Sequence, residues 1–100
     1  MTHPLLIRIE RAQDHIRTSL AGDLSLDRLA EVAALSRFHF HRTFTAVTGE
    51  TVAEAVRRAR MNRAAVLVAT SDLPLAELAR RVGYPNVQSF ARAFRAAHGV

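Results

Sequence analysis

The sequence has no cysteine, no tryptophan and no lysine. The missing cysteine excludes disulfides, thiol nucleophiles and thiolate metal sites, and fits a reducing cytoplasm. Only four glycines and three prolines interrupt 100 residues. Strand-like alternation is absent, as is a glycine-rich phosphate loop. No stretch approaches the ~20 apolar residues of a membrane span, and the start, MTHPLLIRIERAQDHI, lacks the apolar run of a signal peptide. The expected setting is cytoplasmic, away from membranes. Acidic residues are few, nine against 14 basic ones, which gives a formal net charge of +5 and a pI near 11.4. With no lysine, every basic side chain is an arginine, whose planar fork suits phosphate and guanine edges. This balance points to a polyanionic partner.

What is present is helix-forming. Alanine, leucine and arginine dominate and 49% of residues are hydrophobic, enough for one compact domain or two very small lobes. The expected fold is all-α. A first helix should run from about Leu5 to Leu20, with Leu6, Ile9, Ile16 and Leu20 among its apolar positions, and end near Gly22. Ser25 should cap a short helix, LDRLAEVA, with Asp27 favourably placed in its first turn. Ser36 should cap the stretch RFHFHRTFTAVT, which meets a left-handed cap at Gly49. Thr51 and Glu54 form a T-x-x-E capping box for a long helix reaching about Ala69. Pro74 is expected at the first position of LAELARRV, and Asn86 as the cap of VQSFARAFRAAH, which meets Gly99.

The chain repeats itself. Phe40, Arg42, Phe44 and Gly49 recur as Phe90, Arg92, Phe94 and Gly99, each displaced by 50, while Leu26, Leu29 and Ala30 match Leu75, Leu78 and Ala79 at 49. The second turn is therefore one residue longer. Two helix-turn-helix units emerge, residues 1–50 and 70–100, joined by a linker helix over 51–69. Mere duplication of a helical hairpin for packing would leave nothing special on the outer faces, and those faces are rich in chemistry. At ~100° per residue, Phe40, Phe44 and Val47 share the inward face of the third helix and Phe38, His41, Arg42 and Thr45 the opposite one. In the last helix Phe90, Phe94 and Ala97 turn inward and Gln88, Ala91, Arg92 and Arg95 outward. Leucine, alanine and valine elsewhere are read as core. An outward mixture of arginine, glutamine, histidine, threonine and phenylalanine can read base edges, because arginine pairs with guanine, glutamine with adenine, and threonine or phenylalanine touches a thymine methyl.

The pattern SL-x-x-LA, then LS-x-F-x-F-x-R-x-F-x-x-x-x-G, then R-x-x-R-M-x-x-A, then P-L-x-E-L-A-x-x-V-G-Y-x-x-x-x-x-F-x-R-x-F resembles the DNA-binding domain of the AraC/XylS transcription regulators from about Ile7 onward. The resemblance implies a bipartite domain of about seven helices that places two recognition helices in successive major-groove segments. It implies base-reading positions at Arg37, Phe38, His41 and Arg42 in the first unit and at Val87, Gln88, Ser89 and Arg92 in the second. Phosphate contacts are expected from the helix N-termini near Ser36 and Asn86, from Thr45, and from Arg57 and Arg95. Family members continue after the second glycine with a proline-containing turn and a closing helix, whereas this chain stops at Val100, so the last unit is expected to be less stable. A small-molecule sensor, if the parent protein has one, is expected on the C-terminal side.

Competing roles exist for these residues. Phe38 as an ordinary surface aromatic, and Arg42 and Arg92 on phosphate rather than bases, are the alternatives to base reading. Arg60 and Arg63 are read as internally ion-paired or solvated. His39 and His41 do not make a metal site, since residues two apart on a helix point ~200° from each other. Ser36 and Ser89 lack base and orienter partners, so no catalytic residues and no cofactor are expected. The rival function is a basic helical adaptor that binds a protein such as RNA polymerase, distinguishable by weak, sequence-blind DNA binding.

Overall fold

A computed structural model describes residues 1–99. Among them are six helices and no strand: α1 (Pro4–Thr18), α2 (Leu26–Val32), α3 (Arg37–Thr48), α4 (Val52–Thr70), α5 (Leu75–Arg81) and α6 (Val87–His98). The expected all-α fold, two helix-turn-helix units joined by a long helix, is the one observed.

Five of the six helices start where a side chain satisfies a free backbone N–H. Ser25, Ser36 and Asn86 accept from Arg28, His39 and Ser89 respectively. Thr51 and Glu54 close the capping box, with Glu54 Oε1 2.9 Å from the Thr51 nitrogen. Bonding to the Thr51 amide keeps the Glu54 carboxyl below its ordinary pKa. Two starts differ from expectation. His3 caps α1 through Nδ1, 3.0 Å from the Leu5 nitrogen, so Pro4 takes the first helical position. Pro74 stands at the cap of α5 rather than inside it, and has no side-chain acceptor to offer. The far end of α1 is also shorter than expected, because Ser19 leaves helical geometry at φ −136° and Gly22 folds back onto the Ser19 carbonyl at 2.8 Å.

Two hydrophobic clusters share α4. The first gathers Ile9, Ala12, Ile16, Leu24, Leu29, Ala33, Phe40 and Phe44 with Val52, Ala55 and Val56. The second gathers Met61, Ala64 and Leu67 with Leu78, Ala79, Val82 and Phe90. Helices α1, α2 and α3 pack on one another, α5 packs on α6, and α4 touches both groups. The result is elongated, 43 × 24 × 23 Å. Several apolar residues expected inside lie outside: Leu6, Val47, Val66, Val68 and Leu75 are exposed, as is Ala97. Val47 and Ala97 hold equivalent places in the last turns of α3 and α6, beyond the point where the neighbouring helices cover those faces.

The two turns within the units are built alike. Leu35 N–H bonds the Ala30 carbonyl at 3.0 Å, and Tyr84 N–H bonds the Ala79 carbonyl at 2.9 Å. Both turns pass through a left-handed residue, Ala34 at φ 56° and Gly83 at φ 93°, which reverses the chain after α2 and α5. The one-residue difference between them is taken up afterwards, by Pro85 and Asn86 against Ser36 alone.

Candidate nucleic-acid interface

Helix α3 divides its side chains as the rotation argument requires as far as Phe44. Phe40 and Phe44 are fully buried with ring centroids 5.6 Å apart, while Phe38 is 70% exposed. Arg37, His41 and Arg42 are exposed and Thr45 is half-buried. Phe38 does more than lie on the surface. The Arg42 guanidinium carbon stands 5.4 Å from the centre of the Phe38 ring, a cation–π pair that narrows the directions the arginine can take. Arg37 turns the other way, with Nε 3.4 Å from Asp27 Oδ1 on α2. Both partners are well exposed, so this pair contributes little to stability. It does hold Arg37 beside the first turn of α2 in the free protein. The Thr45 hydroxyl is engaged within the helix, donating to the His41 carbonyl at 2.9 Å, which leaves its oxygen able to accept a further hydrogen bond.

Helix α6 presents the matching stripe. Phe90 is buried and Phe94 half-buried beneath it, with centroids 5.7 Å apart. Gln88, Arg92 and Arg95 are exposed, at positions displaced by 50 from Phe38, Arg42 and Thr45. Neither Arg92 nor Arg95 enters an ion pair among the described residues. Ala91, Val87 and Ser89 are half-buried. The Ser89 hydroxyl donates to the Asn86 carbonyl at 3.2 Å and its amide is capped by Asn86 Oδ1 at 2.8 Å. Of the second unit's expected readers, Gln88 and Arg92 thus have the freest side chains.

The caps serve their own helices. Ser36 Oγ accepts from His39 and Asn86 Oδ1 from Ser89. What each helix start offers a phosphate is the amide pair beyond the capped one, Arg37 and Phe38 in α3 and Val87 and Gln88 in α6, which has no acceptor inside the helix. Arg57 is exposed on α4 and forms no ion pair among the described residues.

Other arginines are committed. Arg58 Nη2 lies 2.6 Å from Glu50. Arg80 and Arg81 both grip Glu77, at 2.6 and 3.1 Å. Their hydrogen bonds, Arg80's first, hold the Glu77 carboxyl at about 2 against an ordinary 4.5. Arg60, expected in an ion pair or in solvent, instead donates to two backbone carbonyls, those of Leu20 at 3.1 Å and Gly22 at 3.4 Å. Sequence spacing carried no signal for that contact, nor for the Asp27–Arg37 pair. The i,i+4 spacing of Phe38 and Arg42 on one helix face is the kind of signal that could have revealed their stacking.

Comparison with known proteins follows the same lines. A helix-turn-helix domain model matches residues 29–100. The chain is 33% identical over 97 residues to the regulatory protein SoxS of Salmonella typhimurium, covering 95% of this chain and 87% of SoxS. It is 30% identical to the multiple antibiotic resistance protein MarA of Escherichia coli, covering 89% of this chain and 70% of MarA. Among solved structures, the C-terminal domain of the response regulator AraT from Geobacillus stearothermophilus superposes with a TM-score of 0.90 at 32% identity, over 96% of this chain and 80% of that one. The DNA-binding domain of the global transcriptional factor AdpA, solved in complex with a target DNA, superposes with a TM-score of 0.81 at 28% identity, over 98% of this chain and 85% of that one. Two helix-turn-helix units on a shared helix, with an arginine-bearing stripe on each second helix, are thus found in a chain that belongs to the AraC/XylS-type family of DNA-binding transcription regulators and is not an enzyme.

Proposed function

We propose that the chain binds one face of duplex DNA as a monomer and lays α3 and α6 in successive major-groove segments of a promoter. The observation that carries this reading is the pair of equivalent outward stripes, Phe38–Arg42–Thr45 and Gln88–Arg92–Arg95, on two helices whose opposite faces are anchored by Phe40 and Phe90. A helix fits the major groove, and arginine and glutamine carry the donor patterns that guanine and adenine recognise. In this reading Arg37, Phe38, His41 and Arg42 face bases in one segment and Val87, Gln88, Ser89 and Arg92 in the other. Arg42 and Arg92 carry most of the discrimination. The helix starts at Ser36 and Asn86, together with Thr45, Arg57 and Arg95, contact phosphates and set the register.

A regulator so docked works in the cytoplasm and acts on transcription by presenting a surface to RNA polymerase. A small-molecule effector would act through a further domain of the parent protein. Selection of bound sequences from a random duplex library tests the reading. The wild type should return a bipartite site. Arg42→Ala and Arg92→Ala should each cost ~1–3 kcal/mol and relax base choice only in their own half. A one-part site would overturn the two-segment reading, and uniform weakening on all sequences would move both arginines to phosphate.

A further inference from the structure

We propose that Arg60 is a positioning residue that locks the two helix-turn-helix units at one relative angle, and so sets the spacing between half-sites that the protein accepts. The spacing half of this claim rests on the two-segment docking above. The coupling half stands on geometry alone.

Arg60 lies on α4 between the last residue of the first hydrophobic cluster, Val56, and the first of the second, Met61. Its Nε donates to the Leu20 carbonyl at 3.1 Å and its Nη2 to the Gly22 carbonyl at 3.4 Å. Both acceptors belong to the segment between α1 and α2, in the first unit. The second unit closes on this same hydrogen bond. A Cβ placed on Gly83, in the turn between α5 and α6, would fall 2.6 Å from Arg60 Nε, 2.8 Å from Arg60 Cζ and 2.3 Å from the Leu20 carbonyl oxygen. No side chain fits there. The guanidinium and the Leu20 carbonyl it bonds therefore stand together against the reading turn of the other unit.

The internal repeat makes the point sharper. Ala34 holds the place in the first turn that Gly83 holds in the second, and both residues have positive φ. The shared backbone conformation favours glycine in both turns, yet the first one carries alanine. What sets the second apart is the close approach of Arg60 and Leu20, which leaves no room for a methyl group. The repeat departs from its own pattern where the two units touch. A permanently charged group with several donors in a fixed fork suits this place, since it can bond two carbonyls of one unit while standing against the turn of the other.

Two readouts test the coupling separately from folding. The chain has no cysteine, so nitroxide labels at Arg11→Cys in α1 and Ala76→Cys in α5, both exposed positions, report the distance between units without DNA. The otherwise unaltered protein should show one narrow distance distribution. Arg60→Ala should broaden or shift it while helix content stays the same. An unchanged distribution overturns the coupling. On DNA, affinity is compared between the selected site and sites lengthened or shortened by one base pair between the halves. The parent protein should lose affinity steeply when the spacing changes, and Arg60→Ala should reduce that ratio roughly tenfold, the scale of one hydrogen bond from a charged donor. A ratio kept at its parent value in Arg60→Ala overturns the spacing claim. If the parent protein itself ignores spacing, the two-segment docking fails, and the distance measurement still decides the coupling. Arg60→Lys keeps the charge but lacks the rigid fork that bonds both carbonyls, and the same readings on it decide the matter should Arg60→Ala not fold.

Discussion

Phe38, Phe40 and Phe44 lie within seven residues of one helix and do different work. Phe40 and Phe44 are fully buried and touch each other, so truncating either to alanine should remove ~3–5 kcal/mol of stability, seen as a large drop in melting temperature. Phe38 is exposed and carries the Arg42 guanidinium on its face. Phe38→Ala should leave the melting temperature nearly unchanged and weaken specific binding. Its effect should also be less than additive with that of Arg42→Ala, because the ring acts partly through the arginine. Additive losses would separate the two residues, and a destabilised Phe38→Ala would mean that α3 is rotated from its observed setting. Ala34 makes a different residue-scale case. It is the one non-glycine residue with positive φ among those described, a conformation that strains any residue bearing a Cβ. Ala34→Gly should therefore stabilise the chain, with a gain of up to about 1 kcal/mol that the greater flexibility of unfolded glycine reduces. Thermal or urea unfolding measures it, and a loss of stability would show that the Ala34 methyl packs usefully.

The helices show which parts of a structure local chemistry can announce. The starts at Ser25, Ser36, Thr51 and Asn86 were legible because a capping residue and its target amide lie within three positions of each other. Pro74 fell one place off, since proline fits both the cap and the first turn. The ends of the apolar faces were harder to read. Leu6, Val47 and Ala97 have the right angular position and no neighbour to cover them, and helical periodicity reports angle, not the reach of the next helix. Arg60 was misjudged for a related reason: its acceptors are backbone carbonyls some forty positions away in the chain. The pattern of alternating faces did place the exposed stripes, because it depends on α3 and α6 alone. Helix α5 carries a pH-dependent device that belongs to this scale. Its Glu77 carboxyl is held at about 2 by Arg80 and Arg81, against an ordinary 4.5. A depressed carboxyl stabilises the folded state above its unfolded value and loses that contribution as pH falls through the folded one. The stability difference between the wild type and Glu77→Gln should accordingly be constant above about pH 5, shrink between 4.5 and about 2, and vanish below. A difference that does not change with pH would mean that the two arginines do not hold the charge.

At the scale of the molecule, the arginines that supply the basic side of a net charge of +5 are divided between residues that hold the protein and residues that stay exposed. Arg58, Arg60, Arg80 and Arg81 bind groups within the chain, while Arg57, Arg92 and Arg95 are exposed and enter no ion pair among the described residues. If Arg57 and Arg95 each neutralise one phosphate, replacing either by alanine should weaken binding equally on all sequences and reduce the slope of log affinity against log salt by about 1. An unchanged slope would take the residue out of the phosphate set. The central claim is that one chain reads two successive groove segments, and protection of guanine N7 from methylation tests it most directly, because N7 faces the major groove. On a selected site the account predicts two clusters of protected guanines on one face of the duplex, about 10–10.5 base pairs apart, with Arg42→Ala abolishing one cluster and Arg92→Ala the other. A single cluster, or two clusters on opposite faces of the duplex, would contradict it.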